Sequence, residues 1–115
     1  MQYLMLIYGN EAAMAAASEA ATNERQAAYM AYGKAMTDAG VLVGGQRLRP
    51  TSAATTVRTT NGKIQVLDGP YTDTKEQLGG YFLIEAPDLD VALSWAQRCP
   101  GAAQGVIEVR PIWSM

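Results

Sequence analysis

The run Tyr3-Leu4-Met5-Leu6-Ile7-Tyr8 decides the fold, because it is apolar at consecutive positions rather than alternate ones. Successive side chains of a strand point to opposite faces, so a continuous apolar run describes a strand covered on both sides. Tyr81-Phe82-Leu83-Ile84 has the same character. Two such runs belong inside a sheet, and both faces of that sheet then need cover.

Outward from the first run, Gly9-Asn10 ends the strand, and residues 11–17, Ala-rich and helix-prone but without a polar face, read as a lead-in or a short turn of helix. Ser18 has the side chain of a helix cap, and the helix it starts is expected to run to about Ala39, where Gly40 supplies the left-handed stop. Ala28, Ala31, Tyr32, Ala35 and Ala39 fall on one stripe, which predicts the buried face, with Arg25, Lys34 and Asp38 toward solvent. Val41-Leu42-Val43 begins a strand that Gly44-Gly45 interrupts, a sign of a bulge or a close backbone approach.

A loop over 47–53 leads to a hairpin, Thr55 to Thr60 and Lys63 to Leu67, around Asn61-Gly62. Asn-Gly suits a turn that needs positive φ at both central residues. Asp68-Gly69-Pro70 closes the hairpin, and the spacing of Asp73 and Glu76 predicts a capped helical turn at 74–78. After Tyr81–Ile84, Asp88 caps a helix to Arg98 with Leu89, Ala92, Leu93 and Ala96 inward, and Val106 to Ile112 is the last strand.

Strand–helix–strand, a hairpin, then strand–helix–strand is an α+β order, the ferredoxin-like split βαβ plan with an inserted β-hairpin. Residues 1–115 read as a single domain. In that plan both helices lie on one face. The other face is expected to be covered by a second copy, giving a homodimeric αβ-barrel, because a bare apolar sheet exceeds what a monomer tolerates. The competing arrangement folds the hairpin back over the open face and leaves a monomer.

Composition narrows the function. Apolar residues are 49% of the chain and charged residues 17%, below the roughly 25% usual for soluble domains. The net charge of −2 and the absence of any basic run argue against nucleic acid as a partner. There is no histidine, which excludes His-based triads and zinc sites with His ligands. Cys99 is the sole cysteine, so no internal disulfide exists, and it reads as a buried small residue. No metal site and no cofactor motif is read. The N-terminal run lacks the basic flank of a signal peptide, and no stretch reaches the ~18 apolar residues of a membrane helix. The expected location is cytoplasmic, with no membrane partner.

The stretch Asp68-Gly69-Pro70-Tyr71-Thr72-Asp73-Thr74-Lys75-Glu76-Gln77-Leu78-Gly79-Gly80 resembles the signature of the YCII-related proteins of the DGPF type. The opening Leu4-Met5-Leu6-Ile7-Tyr8 and the Gly-Gly-x-x-Leu-x-Pro at 44–50 fit the same pattern. Tyr71 and Asp73 stand where that pattern has Phe and Glu. The resemblance implies a dimeric αβ-barrel and a bacterial protein, with genes often beside extracytoplasmic-function sigma factors. It also implies a His–Asp pair in some relatives, which a chain without histidine cannot carry.

Asp68, Asp73, Lys75 and Glu76 are the densest charge cluster and, with Tyr8, form the candidate ligand pocket. Capping accounts for Asp73 and Glu76 equally well. Tyr3, Tyr71 and Tyr81 suit a pocket or an interface, and Arg47, beside Arg49, is a candidate anion contact. Three functions remain open. The first is a small-molecule-binding or regulatory dimer with a sigma factor as partner. The second is a cofactor-free enzyme of isomerase, lyase or oxygenase type using carboxylate, Lys and Tyr groups. The third is a structural dimer.

Overall fold

The helices are placed by their aromatic residues. The computed structural model describes residues 1–114. Strand β1 spans Gln2–Gly9, followed by helices α1 (Glu11–Ala16) and α2 (Glu19–Asp38) and strand β2 (Leu42–Arg47). Strands β3 (Thr55–Thr60) and β4 (Lys63–Asp68) form the hairpin; β5 (Gln77–Glu85), α3 (Leu89–Arg98) and β6 (Val106–Pro111) complete the chain. The main sheet has four strands in the order β2-β5-β1-β6, every neighbouring pair antiparallel. This is the split βαβ plan, with β3–β4 as a separate two-stranded sheet.

Tyr3, Met5 and Ile84 point under the helices with Tyr32, Met36, Ala92, Trp95, Ala96 and Cys99. Tyr32 meets Phe82 edge-on at 5.7 Å and Trp95 at 6.2 Å, and Tyr29 stacks on Phe82 at 6.4 Å between ring centroids. Both predicted stripes are therefore rotated. Ala28, Ala31 and Ala39 are exposed, and α2 turns Tyr29, Tyr32 and Met36 to the sheet. On α3, Leu89 and Leu93 are exposed while Trp95 is buried. A stripe of alanines satisfies the period, but a buried Tyr or Trp removes ~150–250 Å² from water, so the rings decide the rotation.

Gly45 shows why β2 carries glycines. A Cβ there would lie 2.6 Å from the Phe82 ring and 2.7 Å from the Tyr81 carbonyl oxygen. At the hairpin, Asn61 and Gly62 take φ of 53° and 76°, as the turn requires. The predicted helical turn at 74–78 does not form. Thr74 Oγ1 donates to the Glu76 carbonyl at 2.6 Å, and Gln77 Nε2 donates to the Thr74 carbonyl at 2.6 Å, folding the segment into a bend ahead of β5.

The hairpin does not fold over the open face. The Cα envelope measures 47 × 44 × 18 Å, and its 18 Å depth is that of one sheet with one layer of helices about 10 Å across. The radius of gyration is 16.1 Å, against about 13 Å for a compact chain of this length. The accessible surface is 8174 Å², against about 6,100 Å² for a folded monomer of this mass. No described helix is long and apolar enough to cross a membrane.

Candidate functional site

The end of the sheet where β1 finishes and β5 starts gathers the distinctive residues. Alternation sends Tyr3, Met5 and Ile7 toward the helices and Leu4, Leu6 and Tyr8 to the other face. Register extends that face: Leu4 lies beside Leu83 and Arg110, Leu6 beside Tyr81 and Glu108, and Tyr8 beside Leu78 and Val106. The result is an apolar floor, crossed at its β6 edge by the ion pair of Arg110 and Glu108 at 2.6 Å. Tyr8 closes one end of it. A bulge sits there, since Ile7 pairs with Gly80 but Tyr8 with Leu78. The intervening Gly79 uses its carbonyl to accept from Leu48 N–H at 2.8 Å.

Behind Tyr8, α1 and the root of the hairpin are tied to β5 by a polar knot. Asn10 caps α1 through Ala13 N–H at 2.9 Å. Glu11 N–H donates to Gln77 Oε1 at 2.9 Å. The Glu11 carboxylate accepts from Thr51 N–H at 2.8 Å and Thr51 Oγ1 at 2.7 Å. Sequence reasoning missed Glu11, Thr51 and Gln77. Glu11 looks like an ordinary acid in the first turn of a helix, favoured there by the dipole, and nothing local names a partner 40 residues away.

The expected cluster is only partly assembled. Glu76, half-buried, lies in the bend one residue before the Gly9–Gln77 pair. Asp68 is at the hairpin root opposite Thr55, and Asp73 and Lys75 are exposed in the bend. Among the described residues no ion pair joins Asp68, Asp73, Lys75, Glu76 and Arg47 to one another. Arg47 pairs with Gly80, which places it on the helix side of the sheet, opposite to Tyr8. Tyr71 is exposed and lies under the Arg58 guanidinium, 5.2 Å from its ring centroid. Two open concavities, of about 350 and 360 Å³, lie elsewhere, between α3 and β6 and beside the chain termini.

Ionisation is displaced under the helices. Burial, followed by the nearby Cys99, raises Tyr29 and Tyr32 well above the usual phenol range. Burial also pushes the Cys99 thiol up, opposed by its hydrogen bonds with the Gly101 backbone and with the Tyr29 hydroxyl. Groups kept neutral in this way serve packing rather than nucleophilic attack.

Fold and site together define a class, an α+β protein of the ferredoxin-like plan that leaves one apolar sheet face free of helices. The YCII-related domain profile matches residues 1–115. An uncharacterised protein of Rhizobium meliloti (strain 1021), R00369, is 38% identical over 114 residues, covering 97% of this chain and 92% of its own. The chain therefore belongs to the YCII-related family. Among solved structures it is similar to 5-chloro-2-hydroxyhydroquinone dehydrochlorinase (TftG) of Burkholderia phenoliruptrix AC1100, with a TM-score of 0.56 and 18% identity. The match covers 99% of this chain and 94% of that one and shows the shared fold.

Proposed function

We propose that the chain works as a homodimer, sheet face to sheet face, and binds a small organic molecule at the end of the apolar floor that Tyr8 closes. The observation that carries this reading is the bare face itself, an apolar floor with a phenol, Tyr8, at its rim; Glu76, half-buried one residue before the Gly9–Gln77 pair, is the carboxylate assigned to it in this proposal. An apolar lining with few placed polar groups is the chemistry of a ligand pocket. The TftG structure holds 2,5-dihydroxybenzoquinone, so this fold accommodates a flat, oxygenated ring, and such a ring would lie against Leu78 and Val106 at the floor's end with its oxygens toward Tyr8 and Glu76. Asp68, Asp73 and Lys75, on the exposed rim, are proposed to steer a polar ligand inward.

Binding without turnover is the favoured form, because the groups of displaced ionisation, Tyr29, Tyr32 and Cys99, are buried beneath the helices. Thermal-shift screening against hydroxylated quinones, catechols and a metabolite library tests the proposal. A binder of the folded state raises the melting temperature, by about 2.7 kcal/mol of added stability at a hundredfold excess over Kd. The shift is expected to shrink in Tyr8→Phe and Glu76→Gln. Absence of any stabilising compound sinks the ligand reading, and consumption of a bound compound would make it an enzyme. The resemblance adds a sigma factor as the candidate protein partner; failure of the purified pair to co-precipitate at physiological salt removes it.

A further inference from the structure

We propose that the β3–β4 hairpin is a clasp, reaching across the dimer axis to lay its apolar face on a second copy of this chain. The inference rests on the dimer proposed above and adds what the hairpin does in it. Cross-strand register puts Val57 opposite Val66 and Thr59 opposite Ile64 on one face, with Arg58, Gln65, Thr60 and Lys63 on the other, where Leu67, opposite Thr56 at the root, is the one large apolar side chain. Val57, Ile64 and Val66 are 65%, 74% and 64% exposed. A period-2 ribbon with one apolar face is the pattern of a sheet packed on something, and a lone two-stranded hairpin is marginal in water. Among the described residues the hairpin pairs with no third strand, and its root is closed by Gly69 N–H to Ala54 O at 2.7 Å and Thr56 Oγ1 to Gly69 O at 2.8 Å.

Area and reach identify the occupant. A four-stranded sheet is about 19 Å wide and 25 Å long, so the open face offers roughly 475 Å² in plan. That alone is below the ~800 Å² per partner of a standard stable interface, which the sheet face reaches only with side-chain relief. The chain exposes about 2,000 Å² more than a folded monomer of its mass, so the sheet face leaves most of the surplus unexplained. The hairpin supplies it. Its strands of six residues span about 20 Å, close to the width of the facing sheet. A two-fold pair is self-complementary, so each copy gives one arm and receives one.

The test is sedimentation equilibrium of the wild type, of Ile64→Lys/Val66→Lys and of Leu6→Lys, with hydrogen exchange of residues 55–68 above and below the dimer Kd. The clasp predicts a rise of about 100-fold or more in dimer Kd for the arm variant, with unchanged far-UV circular dichroism. It also predicts arm amides protected only in the dimer. A wild-type monomer at all concentrations overturns the dimer and the clasp with it. A wild-type dimer weakened by Leu6→Lys but indifferent to the arm variant, or with arm amides equally exposed in both states, overturns the clasp and leaves the dimer standing. Protection that appears only on adding another protein also overturns it. Should the arm variant aggregate, exchange in the wild type decides alone.

Discussion

Tyr32 joins the two halves of the fold with one side chain. Its ring packs between Phe82 and Trp95, and its hydroxyl donates to the Trp95 carbonyl at 2.6 Å. That carbonyl is among the last four of α3, which have no partner inside the helix, so the phenol satisfies a group that burial would otherwise leave unpaired. Because Tyr29, Tyr32 and Cys99 all have their ionisation pushed up by burial, stability acquires a defined pH dependence. In the unfolded chain the thiol ionises near its ordinary 9.0 and the phenols near 10.0. Above those values the unfolded state binds fewer protons than the native one, and stability falls as pH rises; below them the contribution is fully present. Urea midpoints are therefore expected to fall from about pH 9 upward, with tyrosinate absorbance from Tyr29 and Tyr32 appearing together with unfolding. A midpoint unchanged to about pH 11 would show that these groups titrate freely in the native state.

At the scale of elements, what the sequence disclosed was whatever is local. Ser18 caps α2 through Ala21 N–H at 3.1 Å and Asp88 caps α3 through Val91 N–H at 3.0 Å, both as the residue types imply. Asn61-Gly62 makes its turn for the same reason. The rotations of α2 and α3 were hidden, because a period counts Ala28 and Tyr29 by spacing while burial weighs them by area. The bend at 74–77 was hidden too. Asp73 and Glu76 have capping spacing, but the hydrogen bonds there belong to Thr74 and Gln77, and Gln77 answers to Glu11 on a distant helix. The candidate site was legible as a set of residue types and not as an arrangement, since the face on which Arg47 or Tyr8 lies depends on pairing with β5. The contrast is measurable. Ser18→Ala and Asp88→Ala should each cost about 1 kcal/mol in urea unfolding, and the two should add to within ~0.5 kcal/mol. Asp73→Ala should stay within about 0.5 kcal/mol of the wild type. An equal loss at Asp73 would restore the capped turn that the structure lacks.

At the scale of the whole molecule, an apolar sheet was readable in the runs of β1 and β5, but the flat shape that leaves one of its faces open was not. A flat body 18 Å deep with an arm standing away from it buries little of itself, and so keeps little of the hydrophobic stabilisation that would offset chain entropy. The proposed dimer would share stability between folding and association. If two copies bind only when folded, each tenfold rise in protein concentration adds about 1.4 kcal/mol per dimer, which is a few degrees in Tm for a chain of this size. Scanning calorimetry across a hundredfold range of concentration should show Tm climbing throughout. Leu83→Lys, on the open face beside Leu4 and away from the helical core, should abolish the climb and lower Tm to its dilute value. The reason is positional. A charge there faces water in a lone chain but is buried without a partner between two sheets, where an unpaired ion costs several kcal/mol. A wild-type Tm independent of concentration would mean that water, and not a second sheet, lies against Leu4, Leu6 and Leu83.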